Sequence, residues 1–439
     1  MLKRLHFYIG LFIGPFLLVA ALSGVFYALT PQLEEALYAQ ALHTDSRGEP
    51  LSLAAQVQRA QAVAGEAGHV AAVRPAQAPG NTTRVMFSDP GYGPSEHRAV
   101  FIDPVTGDIR GDMKVYGTSG VLPLRTWIDQ FHRGLFLGDP GRVYSELAAS
   151  WLWLAALGGL VLWAVRRRRL RTAQGGVRRW HATMGVWLLL GLLFFSATGL
   201  TWSQYAGDNI GVLRAHYGWS TPSISTALGV STHAAMPVDE HAAHHLHAMP
   251  QAATAAAALD PRLFDSVLAT ARAAQIDAAK VEIRPAARGD KAWVVSEIDR
   301  RWPTQVDAVS IDPHSLKVVD QVAFAQYSLP AKLTRWGIDA HMGVLFGVVN
   351  QLVLVLMGGG LAGMVVLGYL MWWRRRPTLA PQATLLGAWR CLGLGTRVGV
   401  ALVALLLGLA LPVMGWSLLG FLLLDAVWLR QQAPKAVVQ

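Results

Sequence analysis

Four apolar runs, at about 7 to 29, 147 to 165, 182 to 203 and 348 to 373, constrain this chain more than any other feature. Each is close to the ~20 residues that a helix needs to cross a bilayer. A fifth run, 398 to 429, is interrupted by Pro412 and Gly415 and reads as a helical hairpin. A chain that is 53% hydrophobic and carries such runs belongs with membrane proteins. Lys3 and Arg4 ahead of the first run resemble the start of a secretory signal, but that run is long and its internal pattern recurs later, so it reads as a retained span.

The net charge of +10 is a matter of topology and does not indicate nucleic acid. Every acidic residue except Asp425 lies in one of two long segments, 30 to 146 and 204 to 341. The connector 166 to 179 is arginine-rich and free of acids, and Arg374, Arg375 and Arg376 close the fourth run. Basic residues mark the cytoplasmic side, so both long segments are expected to face outward and both termini inward. Cys391 is the only cysteine, which excludes structural disulfides and covalent c-type haem attachment.

The chain repeats itself. Trp127-Ile-Asp-Gln-Phe-His132-Arg-Gly-Leu-Phe-Leu-Gly138 and Trp336-Gly-Ile-Asp-Ala-His341-Met-Gly-Val-Leu-Phe-Gly347 share Trp, Gly and Gly at the same offsets from a histidine. His6 precedes Ser23-Gly24 by the same distance as His181 precedes Thr198-Gly199. Val-Phe-Ile-Asp103-Pro and Val-Ser-Ile-Asp312-Pro stand equally far before His132 and His341. An internal duplication of helix, outward domain and helix follows. Each outward segment has a helix-like stretch, 51 to 64 or 262 to 276, and then short alternating runs, as expected of a small α+β unit with an antiparallel sheet.

The expected division is therefore 1–29 helix; 30–146 outward domain; 147–165 helix; 166–180 cytoplasmic loop; 181–203 helix; 204–341 second outward domain with a histidine-rich insert at 221–258; 342–373 helix; 374–397 linker; 398–430 hairpin; 431–439 tail. A straight helix from His341 to Trp373 would be longer than the hydrocarbon core, so a break is expected between His341 and about Asn350.

Histidines at membrane helices are functional candidates by default. His6 and His181 open two helices at the cytoplasmic face, and His132 and His341 lead into two others at the outer face. Paired by duplication, they read as axial ligands of two noncovalent haems, which pass electrons and leave no open position on the iron. Gly10 and Gly185, one turn beyond their histidines, let a flat macrocycle approach, and Gly134 and Gly343 are the outer counterparts. Asp129 and Asp339 are candidate acceptors for the second ring N–H. Lys3, Arg4, Arg178 and Arg179 inside, and Arg125, Arg133 and Arg335 outside, are candidate partners for propionates. In the insert, His233, Met236, His241, His244, His245, His247 and Met249 form a candidate site for copper, nickel or zinc. Gly393-Leu-Gly395-Thr-Arg-Val-Gly399 has the wrong spacing for a nucleotide loop.

His6 with its glycine spacing, the run from Phe131 through His132, Asp139-Pro-Gly141, Glu146 and Trp151, then Trp180-His181, His341-Met-Gly with Asn350-Gln351, and Trp372-Trp373-Arg-Arg-Arg376-Pro together resemble the PepSY-associated transmembrane family, over about residues 1 to 377. The resemblance implies a bacterial inner-membrane, multi-pass protein with two PepSY-like periplasmic domains. It further implies two haem b groups per chain and reduction of ferric siderophores or other metal chelates, with electrons from a cytoplasmic donor or quinol. The hairpin and the histidine insert depart from the smaller members. Two other expectations stay open: a module that binds or senses a ligand or copper, or reduces cupric ion, without siderophore activity, and a transporter of a metal chelate.

Overall fold

The computed structural model describes residues 1–65, 68–88, 91–93, 95–117, 120–172, 176–228, 236–237, 259–286, 288–375 and 384–432. In chain order the principal elements are α1 (Leu2–Ala28), α2 (Leu53–Ala64), β1 (His69–Arg74), β2 (Thr83–Ser88), β3 (Glu96–Ile102), β4 (Ile109–Tyr116), α3 (Pro123–Gly134), α4 (Gly138–Thr172), α5 (Val177–Trp187), α6 (Leu189–Thr201) and α7 (Tyr205–His216). After them come α8 (Leu263–Ala273), β5 (Val281–Arg284), β6 (Trp293–Glu297), β7 (Ala308–Ile311), β8 (Val318–Val322), α9 (Leu329–His341), α10 (Gly347–Arg375), α11 (Leu385–Arg390), α12 (Leu394–Ala410) and α13 (Pro412–Gln432). They divide into a helical unit, Met1–Ala28, Ile128–Tyr217 and Gln351–Gln439, and a sheet unit, Leu29–Trp127 and Gly218–Asn350.

In the helical unit, three helices are long and apolar enough to cross a membrane: Leu2–Ala28, Gly138–Val165 and Gly347–Arg374. The protein is a mainly helical membrane protein. The run expected as one helix from 181 to 203 is formed by α5 and α6, bent by 62° at Leu188. The bend seats Leu188 against α10 where side chains are missing, since an added Cβ at Gly360 would lie 2.6 Å from Leu188 Cδ1 and one at Gly191 would lie 2.5 Å from Met357 Sδ. Helix α1 contains a π-helical turn, Ile9–Ile13, directly before Pro15, whose ring nitrogen has no proton to donate. Ile9, Ile13 and Leu17 of α1 bury against Trp151 and Leu152 of α4, Leu361 of α10, and Met414 and Phe421 of α13. The carboxylate of Glu146, fully buried, accepts from Tyr205 N at 2.9 Å and Ala206 N at 3.1 Å and so caps α7.

The sheet unit holds an eight-stranded antiparallel sheet in the order β8-β7-β6-β5-β1-β2-β3-β4, beside a two-stranded pairing of Ser223–Ile224 with Met236–Pro237. Two separate small sheets were the expectation. The structure joins them because β1 and β5, which would each be an exposed edge, pair with one another through Val73 and Ile283. Helices α2 and α8 cover one face, where Val57, Ala60, Phe264 and Val267 pack on Val73, Phe87, Ile283 and Val295 in a single core. Asp265 of α8 caps α2, accepting from Leu53 N at 2.8 Å and Ala54 N at 2.9 Å. Across the seam, Glu282 accepts from Arg74 Nε and Arg284 Nε at 2.6 Å each. A charge so deeply buried persists because both neighbours are cations. The runs α2-β1-β2-β3-β4 and α8-β5-β6-β7-β8 have the same order.

Candidate haem-ligand site

His6 lies in the second turn of α1 and His181 in the second turn of α5. Their ring centroids are 6.4 Å apart and the rings stand at 81° to one another. His181 Nδ1 is 3.0 Å from the carbonyl oxygen of Met364, which can only accept, so Nδ1 carries the proton and Nε2 keeps its lone pair. His6 Nδ1 is buried without a hydrogen-bond partner, and the Ala155 backbone lies close to the ring. Room for the His6 ring comes from a glycine pair in α4, since a Cβ at Gly159 would lie 3.3 Å from His6 Cε1 and one at Gly158 would lie 3.9 Å from His6 Nδ1.

Both histidines line a cavity of about 460 Å³, with Gly10, Gly185, Tyr369, Trp372, Lys3 and Arg178 also in its wall. A Cβ on Gly10 would meet nothing within 4 Å, so the helix presents bare backbone to open space. Of the four basic candidates at this end, Lys3 and Arg178 line the cavity and Arg4 and Arg179 do not. Arg4 is turned away to stack over the rings of Phe7 and Tyr8, 5.3 Å and 5.2 Å from their centroids.

His132, in the last turn of α3, is held by α1 and α4. Its Nδ1 is 2.8 Å from Ser23 Oγ, its ring lies against Gly24, and its carbonyl accepts from the Tyr144 hydroxyl at 2.7 Å. Asp129, an expected acceptor for this ring, pairs with Arg133 at 3.8 Å. An added Cβ at Gly134 would meet the backbone of Gly141 and Arg142 only at 3.7 Å, whereas one at Gly141 would lie 1.9 Å from the Gly134 carbonyl oxygen, so it is the bareness of Gly141 that serves the turn into α4.

His341 belongs to the sheet unit, as the last residue of α9. Asp339, the expected acceptor there, is fully buried and accepts from Arg300 Nε at 2.6 Å and Arg335 Nε at 3.1 Å. Arg335, expected at a propionate, is thereby engaged, and Arg125 pairs with Glu34 at 2.5 Å. Gly343 has φ of +75° in the turn after α9, a conformation that favours glycine. Asn350 Nδ2 donates to the Ala340 carbonyl at 2.8 Å and secures that turn, and α10 begins at Gly347.

Among the described residues no group of three or more His, Cys, Asp or Glu side chains forms a metal site. His233, His241, His244, His245, His247 and Met249 lie outside the described residues. Sequence reasoning missed Met364, whose carbonyl carries no residue-type signal. The glycine pair at 158 and 159, in mid-helix, was the legible trace of a crowded ring.

A family model described as the PepSY-associated TM region matches residues 3–375. The chain belongs to the PepSY-associated transmembrane family. A comparison with curated proteins finds no match. The PepSY-associated region takes in all four histidines, whereas α11, α12 and α13 lie beyond it. These added helices are nevertheless packed into the core of this PepSY-associated protein, with Trp151 Nε1 donating to Ser417 Oγ at 2.8 Å.

Proposed function

We propose that this protein is an internally duplicated, bacterial inner-membrane electron-transfer protein with two haem b groups per chain, reducing ferric siderophores or related ferric chelates at its periplasmic face. The observation that carries the proposal is the His6–His181 pair in its cavity. Two imidazoles sharing one metal, at about 2 Å per metal–nitrogen bond and about 1 Å from nitrogen to ring centre, have centroids about 6 Å apart. The 6.4 Å separation fits. The donor set fits as well, since His181 offers Nε2 and the bare backbone of Gly10 leaves space for a flat ring.

Bound haem supplies a ferric–ferrous couple with no open position, so chemistry on the substrate is confined to electron transfer. The chain's own residues orient and neutralise. Met364 fixes the tautomer of His181. Lys3 and Arg178, in the cavity wall, offer cations to the propionates. His132 and His341 are the proposed ligands at the periplasmic end, where one electron passed to a ferric chelate yields the more weakly held ferrous ion. Electrons enter from a cytoplasmic donor or quinol, and the basic connector and both termini are cytoplasmic in this proposal.

The test is a reduced-minus-oxidised spectrum with haem quantification on the purified full chain. Two b-type haems are expected, with one lost in His6→Ala or His181→Ala and the other in His132→Ala or His341→Ala, together with loss of ferric-chelate reduction. Protein without a Soret band, or with one that none of these changes alters, overturns the proposal.

A further inference from the structure

The contact between Ser23 and His132 permits an accounting of protons. The Ser23 hydroxyl has one hydrogen and lies 2.7 Å from the Val19 carbonyl and 3.2 Å from the Ala20 carbonyl. The Tyr144 hydroxyl also interacts with Ser23, and serine back-bonding places the hydrogen on the Val19 carbonyl, the shortest of these contacts, within α1. With the hydrogen so placed, the 2.8 Å contact to His132 Nδ1 has the ring N–H donating to Ser23 Oγ, and the Ala20 carbonyl lies close to the same ring. We infer that Ser23 is a positioning residue: it accepts the Nδ1 proton of His132, commits Nε2 to be the electron-pair donor, and sets the donor strength of that nitrogen. The inference rests on the reading of His132 as a haem ligand.

Back-bonding to the preceding turn is ordinary for serine in an apolar helix and needs no histidine. The placement of His132 around it is what adds a role. An added Cβ at the adjacent Gly24 would lie 3.4 Å from His132 Cε1, so the ring fits in contact with bare backbone next to the hydroxyl. Tyr144 of α4 holds the His132 backbone through its carbonyl at 2.7 Å. Ring and backbone are thus gripped by different helices, which leaves the imidazole little freedom to rotate. A metal-binding histidine whose second N–H is accepted becomes more electron-rich, and this favours the oxidised metal. Without the acceptor, the same ligand favours the reduced metal. Helix α1 also carries His6, so one helix bears a ligand of one proposed haem and the orienting hydroxyl of the other.

The experiment compares wild type, Ser23→Ala, Ser23→Thr and Ser23→Cys in the full chain in detergent. The ring tautomer of His132 is read by ¹⁵N NMR of histidine-labelled, haem-free protein, and the two haem midpoints by redox titration of the loaded protein. Wild type is expected as the Nδ1–H tautomer. Ser23→Ala is expected to mix tautomers and raise one midpoint while leaving the other in place. Threonine restores both readouts, and cysteine, a weaker acceptor, falls between. Wild-type tautomer and midpoints in both Ser23→Ala and Ser23→Cys overturn the inference. A wild-type protein that takes up no haem overturns the functional proposal instead, and the tautomer measurement still decides the role of Ser23.

Discussion

The phenol of Tyr369 donates a 2.6 Å hydrogen bond to the carbonyl of Leu11, the acceptor that Pro15 leaves without an α-helical partner. Gly14 makes the approach possible, since an added Cβ there would lie 3.2 Å from Tyr369 Cε2. Tyr369→Phe leaves that carbonyl unsatisfied at a cost of roughly 1–3 kcal/mol. Pro15→Ala supplies the missing N–H, so the double variant should recover much of the loss. Thermal unfolding of the four proteins in detergent measures the coupling, and simple additivity would contradict this account.

Gly10 offers a direct probe of the cavity. A Cβ there would meet nothing within 4 Å and Gly10 lines the cavity, so Gly10→Leu should leave the haem-free protein folded while filling space beside His6. The expected result is about half the haem content, with unfolding of the haem-free protein changed by less than about 0.5 kcal/mol. Full haem content in Gly10→Leu would show that the macrocycle does not lie there.

The two Asp-Pro turns are alike down to their backbone. Gly107 N donates to Asp103 O at 2.8 Å, and Leu316 N donates to Asp312 O at 2.9 Å. Gly107 has φ of +75° and Leu316 φ of +53°, so the second copy places a branched residue where the first has glycine. Left-handed backbone costs an L-residue roughly 1–2 kcal/mol. Leu316→Gly should therefore stabilise the sheet unit by about 1 kcal/mol. Gly107→Ala should do the reverse, because its Cβ would also lie 2.6 Å from Arg59 Cδ. Denaturant midpoints give both signs.

Burial pushes the Asp103 carboxyl up, but the hydroxyls of Ser46 and Thr44 and the N–H groups of Val105 and Thr106 outweigh it and hold the pKa at about 2. An unfolded aspartate titrates near 3.9. With the folded value depressed, the stabilisation is fully present above the unfolded value and is lost as pH falls through about 2. Roughly 2–3 kcal/mol is at stake. Asp103→Asn should remove that much of the acid sensitivity between pH ~4 and ~2, read from chemical unfolding at each pH. An unchanged acid slope would assign the loss to other carboxylates.

Much of this was legible in the sequence because it rests on periodicity and repetition. Apolar runs of membrane length gave α1, α4 and α10, and equal spacings linked His6 with His181. What was not legible depends on meetings between distant segments. The joining of the two strand sets turns on Val73 meeting Ile283, apolar residues like many others in alternating runs. The bent pair at Leu188 packs where Gly360 of another helix leaves room for the Leu188 side chain. At the site, carboxylates near the histidines in sequence drew attention, yet Arg300 and Arg335 engage Asp339, and a serine on α1 meets His132. Nearness along the chain was a poor guide to which acceptor a ring would find.

Asp425, 1% exposed, binds the added hairpin to the family core. Its Oδ1 accepts from the Tyr8 hydroxyl at 2.6 Å, and its Oδ2 accepts from Leu386 N at 2.8 Å, in the first turn of α11. One turn earlier, Phe421 packs on Tyr8, Phe12 and Trp151. A carboxylate so placed persists only because both oxygens are satisfied. Asp425→Leu keeps the branched heavy-atom skeleton but leaves a phenol and a backbone N–H without their acceptor, at roughly 1–3 kcal/mol each. Asp425→Asn keeps one accepting oxygen and should lose less. If the carboxylate acts through Tyr8, then Tyr8→Phe combined with Asp425→Leu should cost less than the sum of the two changes. Because Tyr8 follows His6 by half a turn on α1, loosening it should also lower haem retention at that end before the protein unfolds. Thermal unfolding and haem content followed together on these variants test both statements. Wild-type behaviour of Asp425→Leu in both measurements would show that the hairpin is held by apolar packing alone.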